Sequence, residues 1–171
     1  MQREKQDAME VEIRQMQEAD IPVVAQLHAE CFSRQKFSLE WISCNFRAFP
    51  RMRYFVAEHS GKLLGFIHWT EKSGLREEVV LDLEQLGVKP EVQGQGIGSQ
   101  LIKKSLPLVA QALKQRGAVI KHILVNTRTD NHAQKLYANT LGAQPEAVIK
   151  ALFSGDELYM IARNIKIEPS N

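Results

Sequence analysis

Gly94, Gly96 and Gly98 crowd into five positions of the stretch VKPEVQGQGIGSQLIKK, residues 88 to 104, and a helical apolar pattern begins at once behind them. A strand that breaks into glycines and then starts a helix presents unpaired N–H groups at the positive end of a helix dipole, an arrangement suited to phosphate. Lys103 and Lys104 follow one turn on. Two familiar phosphate loops fail on spacing. A Walker loop needs Gly-Lys-Ser/Thr, but Gly98 is followed by Ser99 and Gln100. The dinucleotide fingerprint places its third glycine where Ser99 stands, and no acidic residue lies near twenty positions further on. The bland alternative is a glycine turn that only brings a helix back against a sheet.

Just upstream, the apolar residues of VVLDLEQLGV fall on Val79, Leu81 and Leu83 and then on Leu86 and Val88. A period-two strand changes parity in this way when a β-bulge takes up an extra residue, here around Glu84 and Gln85. A strand buried on both faces would need no parity at all.

The run Val88-Lys89-Pro90-Glu91-Val92-Gln93-Gly94-Gln95-Gly96-Ile97-Gly98 resembles the pyrophosphate loop of the GNAT superfamily of N-acetyltransferases, [RQ]-x-x-G-x-[GA] after a strand ending in Val-x-Pro. The resemblance implies acetyl-CoA as acyl donor, its pyrophosphate held by the backbone of Gln93, Gly94, Gln95, Gly96, Ile97, Gly98 and Ser99. It also implies that the strand before the loop splays from its parallel neighbour. The backbone of Leu86, Gly87 and Val88 would then pair with the pantetheine arm, and one amide would donate to the thioester carbonyl. Such a donor is worth about 2.7 to 4 kcal/mol to a developing oxyanion.

NHAQKLYANTLGA, residues 131 to 143, is similar to the family's second signature, N-x-x-A-x-x-L-Y followed by Leu-Gly. Asn131 stands six residues before Tyr137 where the pattern has seven, which puts Asp130 in the Asn slot, and Gly142 follows Tyr137 by five where four is usual. The resemblance implies cofactor contact by Asn131 and proton donation by Tyr137 to the departing thiolate. On its helix alone, Tyr137 reads equally as a packed core aromatic. An amine acceptor also needs a base. The family does not specify it; Glu84, beside the parity change, is the candidate, with Asp82 in reserve and a plain strand carboxylate as the alternative. His68 reads as a satisfied strand histidine.

These residues require a frame. VEIRQM alternates as a first strand, and Asp20 is placed to cap a helix bearing Val23, Val24, Leu27 and Cys31. Ser38 to Phe46 forms a second helix, with Trp41, Ile42 and Phe46 on its apolar side. Two strands turn at His59-Ser60-Gly61-Lys62. The glycines lead into a helix over 97 to 116, with Leu108 in its stripe and Pro107 predicting a kink. VIKHILVN is a buried strand, Asn131 to Leu141 a helix, and AVIKALF with ELYMIARNI a closing hairpin. The sum is an α/β (α+β type) fold: one mixed, mostly antiparallel sheet of about seven strands with about four helices and one parallel pair.

With 171 residues, 44% of them hydrophobic, the chain suits a single domain over 10–167, with tails at 1–9 and 168–171. A formal charge of +2 gives no footprint for nucleic acid or an anionic membrane. The charged start and the lack of a long apolar run indicate a cytoplasmic protein with no membrane partner. Cys31 and Cys44 read as two buried thiols, and no ligand spacing implies a metal. The expected function is acetyl-CoA-dependent transfer to a primary amine by a monomer or homodimer. The alternatives are a non-catalytic CoA-binding sensor and, disfavoured by spacing, a nucleotide-binding module.

Overall fold

The computed structural model describes residues 8–167. Seven strands form one sheet in the order β1-β2-β3-β4-β5-β7-β6. They are β1 Glu12–Gln15, β2 Met52–His59, β3 Lys62–Glu71, β4 Glu78–Val88, β5 Val119–Arg128, β6 Gln144–Ile149 and β7 Glu157–Arg163. All neighbours are antiparallel except β4 and β5. That parallel pair follows from one long crossover, in which helix α3, Ile97–Lys114, carries the chain from the end of β4 to the start of β5. The mixed sheet expected from the sequence pattern is therefore present.

Alternation along the strands divides their side chains between two helical layers. Phe55, Ile67, Trp69, Leu81 and Leu83 pack with Ile97, Leu101, Val109 and Leu113 of α3. On the other face Tyr54, Val56 and Phe66 pack with Val24 and Leu27 of α1, Ile21–Cys31, and Ile42 of α2, Ser38–Arg47. The short helix α4, Ala133–Leu141, packs against α3 and β5. Ser60 and Gly61 both take positive φ between β2 and β3, the conformation that a two-residue hairpin turn needs to match strand twist.

Several expectations are corrected. Asp20 does not cap α1; its carboxylate takes the Arg14 guanidinium at 2.8 and 3.0 Å and the Gln17 amide at 2.8 Å. Leu108 is exposed, because the stripe of α3 runs through Val109 and Leu113, about 100° and 140° round the helix from it. Cys44 is exposed and Cys31 half-buried, so they are not two buried thiols. The last hairpin begins at Gln144 rather than Ala147, since β6 is an edge strand with no buried face to give it a pattern.

Residues 1–7 and 168–171, assigned above to tails, lie outside the described residues. Met9, assigned with them, instead packs on the core and donates its amide to the Gln95 carbonyl at 3.2 Å. Among the described residues no helix is long and apolar enough to cross a membrane.

Candidate active site

β4 and β5 pair from Glu78↔Val119 to Asp82↔Leu124 and no further. Beyond that point β4 stays with β3 as far as Val88↔Gly65, and β5 stays with β7 as far as Arg128↔Glu157. The parallel strands thus part, leaving a slot bordered by Leu83 to Val88. The sequence origin is local. His68 faces Gln85 whereas Trp69 faces Leu83, so Glu84 is the extra residue of a bulge. This resolves the parity change, with Val79, Leu81, Leu83, Leu86 and Val88 all turned to the α3 layer.

Glu84 is exposed at this bulge. Surrounding protein, and then the neighbouring Asp82 charge, raise its pKa above the usual carboxylate range, against the pull of Lys72 and Arg51. Burial likewise raises that of Asp82, but Asp82 is already paired with Lys72 at 3.3 Å. His68 is wholly buried, and burial pushes its pKa down to about 3. Its Nε2 meets Thr70 Oγ1 at 3.2 Å and its Nδ1 has no partner among the described residues, so it is only half satisfied.

The glycine loop begins where the slot ends. Gly94 and Gly96 adopt φ of 78° and 80°, which β-carbons disfavour. Gly98 is small for a different reason. A Cβ there would lie 3.3 Å from Leu136 and 3.4 Å from Leu86, so the first turn of α3 is held between α4 and β4. The N–H groups of six successive residues, Gly94 to Ser99, donate to no protein acceptor among the described residues; Gln100 is the first to do so, to the Gly96 carbonyl. The Gln93 side chain turns inward instead and donates to the Val88 carbonyl at 3.0 Å, bracing the loop. Lys104 is likewise drawn away, to Glu10 and the Val11 carbonyl.

Tyr137, next to Leu136 on α4, is 7% exposed. Burial alone pushes its pKa up to about 12, with no charge or hydrogen bond adding to the shift. Asn131 precedes α4 rather than starting it; its Oδ1 accepts from the Ala133 amide at 2.9 Å, a local turn that leaves its Nδ2 free of protein partners among the described residues. Leu86 and Val88 of β4 and Leu136 of α4 therefore meet around Gly98, whereas Gly87 faces Phe66 and Cys31 on the other side of the sheet.

The model of the Acetyltransferase (GNAT) family matches residues 21–143, a span that holds the bulge, the loop and Tyr137 together. The chain belongs to the GNAT family. An uncharacterized N-acetyltransferase of Methanocaldococcus jannaschii is 29% identical over 101 residues, 57% of this GNAT chain and 41% of the relative, so the match spans about two-fifths of that protein's length. Among solved structures, Ard1 from Thermoplasma volcanium superposes with a TM-score of 0.72 at 17% identity, covering 92% of this chain and all of that one. The ribosomal-protein-S18-alanine N-acetyltransferase from Escherichia coli gives 0.71 at 18%, covering 93% and 97%. At those identities the likeness concerns the fold.

One part of the GNAT site escaped the sequence. Gln85, next to the bulge, accepts from Trp41 Nε1 at 2.9 Å and donates to Gln35 Oε1 at 3.0 Å and to His28 Nε2 at 3.2 Å. His28 Nδ1 meets Ser38 Oγ at 2.9 Å. With both amide hydrogens of Gln85 committed, His28 Nε2 must accept, so Nδ1 carries the proton and donates to Ser38. Burial lowers the His28 pKa and keeps the ring neutral. The network ties the α1–α2 connection to the strand that carries Glu84. Replacing Gln85 by Leu leaves the wholly buried His28 Nε2 without its Gln85 partner, while the exposed Trp41 and Gln35 turn to water, and is expected to cost about 1–3 kcal/mol, read as a fall in the urea midpoint at unchanged slope. Since the partners lie 44 to 57 residues from Gln85, no local spacing announces them.

A second link crosses the mouth of the site. Arg34, from the same connection, donates to Ser154 Oγ at 2.7 Å in the loop between β6 and β7, and Arg128 reaches that oxygen at 3.3 Å.

Proposed function

We propose that this GNAT chain transfers an acetyl group from acetyl-CoA to a primary amine, with Glu84 as base and Tyr137 as acid. The observation that carries the reading is the row of six N–H groups, Gly94 to Ser99, without a protein acceptor among the described residues and placed at the end of the slot between β4 and β5. A diphosphate is the natural guest of such a row, and a narrow extended arm is the natural guest of the slot.

Gln93 to Ser99 would hold the pyrophosphate through their backbone. Leu86 to Val88 would lie along the pantetheine, and the Asn131 Nδ2 is free to reach the same ligand. When bound, acetyl-CoA supplies a thioester carbonyl open to direct attack, with no covalent enzyme intermediate. Glu84, exposed where the strands part, takes the proton of the incoming ammonium directly or through water. Tyr137, protonated at neutral pH, gives a proton to the leaving sulfur.

The test is release of free CoA thiol from acetyl-CoA with a panel of amines: protein N-termini, lysine peptides, polyamines and aminoglycosides. Turnover with at least one class is the expected result. Tight CoA binding with no thiol release from any would support the sensor reading instead.

Glu84→Gln has its own signature. A base must be ionised, so the wild-type rate rises with pH through the raised Glu84 pKa. The variant lacks that limb. Its deficit near neutral pH is expected to be at least about 10²-fold, narrowing as pH approaches the amine pKa of about 10.4. An unaltered pH–rate profile would assign proton removal to Asp82 or to solvent.

A further inference from the structure

A cavity of about 330 Å³ opens at the edge of the sheet, where β1 ends and leaves the outer edge of the start of β2 unpaired. Met16, Phe46, Phe49, Met52, Arg53 and Tyr54 line it. Apart from Gln15, which also lines it, Arg53 and the Tyr54 hydroxyl, this wall is apolar, and the cavity volume falls at the low end of the range of about 300–1,000 Å³ for small-molecule sites.

Arg53 is the anomaly. Only 9% of it is exposed, yet among the described residues its guanidinium makes no hydrogen bond and no ion pair, and its Nε is fully buried without an acceptor. It rests instead over the Phe49 ring, 4.9 Å from the centroid. The carboxylate whose charge reaches it is already taken: Glu71, itself buried, receives both terminal nitrogens of Arg116. Glu71 attracts Arg53 through space, but Arg116 repels it. Two guanidiniums and one carboxylate leave this cluster short of one negative charge. An arginine stays charged in proteins, and an isolated buried charge is costly, so the arrangement calls for an anion that the chain does not provide.

We infer that this cavity is a second binding site, one that takes a small monocarboxylate whose apolar body lies against Phe46, Phe49 and the two methionines while its carboxylate meets Arg53. The inference does not depend on the acetyl-transfer reading, since no residue of the cavity belongs to the slot or the loop.

Calorimetric titration with 3-phenylpropanoate, its neutral amide as control, tests it on the whole chain with and without saturating acetyl-CoA. The acid is expected to bind saturably and at least about tenfold more tightly than the amide, with acetyl-CoA making no difference. Arg53→Met keeps most of the volume and removes the charge. It is expected to abolish the preference for the acid while raising the melting temperature of the unliganded protein, because an uncompensated buried charge is gone. Phe49→Ala, at a ring 56% exposed and therefore safe for folding, is expected to weaken the acid several-fold. Equal affinity for acid and amide, an unchanged preference in Arg53→Met, displacement by acetyl-CoA, or no saturable binding of the acid up to about 10 mM would each overturn the proposal.

Discussion

Gly94→Asp is expected to weaken acetyl-CoA binding by roughly a thousandfold in a protein that still folds. Gly94 sits at φ 78° with nothing within 4 Å of where its Cβ would stand, so the new side chain meets strain but no collision. Asp and Asn are the residues that bear this conformation best. Gly94→Asn shares the strain and size without the charge and is the matched control. In the Asp variant a carboxylate faces the row of N–H groups that the phosphates would use. At about 4 Å from one phosphate charge, with an effective dielectric of about 20, the repulsion is about 4 kcal/mol, roughly a thousandfold in affinity. Gly96 is a poorer test position, because a Cβ there would press on Ala8 at 3.2 Å and confuse stability with binding. Calorimetry with both variants decides the matter. If Asp and Asn bind CoA equally, the pyrophosphate does not lie on this loop.

Tyr137→Phe is expected to lower the maximum rate by about 10² or more, the low end for general acid catalysis, while acetyl-CoA still binds. The ring is buried, and burial alone accounts for its raised pKa of about 12. Removing the hydroxyl breaks no hydrogen bond that contributes to that shift, so the melting temperature is expected to move little. A purely structural tyrosine predicts the reverse, a small stability change and full turnover. The acid role carries a further mark: acyl donors with a more acidic thiol leave without help, so the deficit shrinks along such a series. Wild-type turnover by the Phe variant, with chemistry shown to be rate-limiting, would leave Tyr137 as a packing residue and pass protonation of the thiolate to water.

By itself the sequence determined what depends on neighbours along the chain. Period-two and helical patterns specify strands and helices by which side chains share a face. Two glycines at positive φ behind a strand specify the loop. The parity break between Leu83 and Leu86 specifies the bulge at Glu84, because an extra residue is the only way for one strand to keep a single face in the core. It failed where that logic has no purchase, as at β6, whose exposed faces leave no alternation to read.

Tertiary structure alone decided what depends on residues far apart. The slot exists because β4 and β5 each keep an antiparallel partner after their own pairing ends at Asp82 and Leu124. Gln85 became the hub of Trp41, Gln35 and His28 only once α1 and α2 were laid across the sheet. Arg53 is buried and stacked on Phe49 by packing alone, and among the described residues it has no carboxylate, Arg116 having taken Glu71 from across the fold. Burial and charge pairing are properties of the packed whole, and no spacing along the chain carries them.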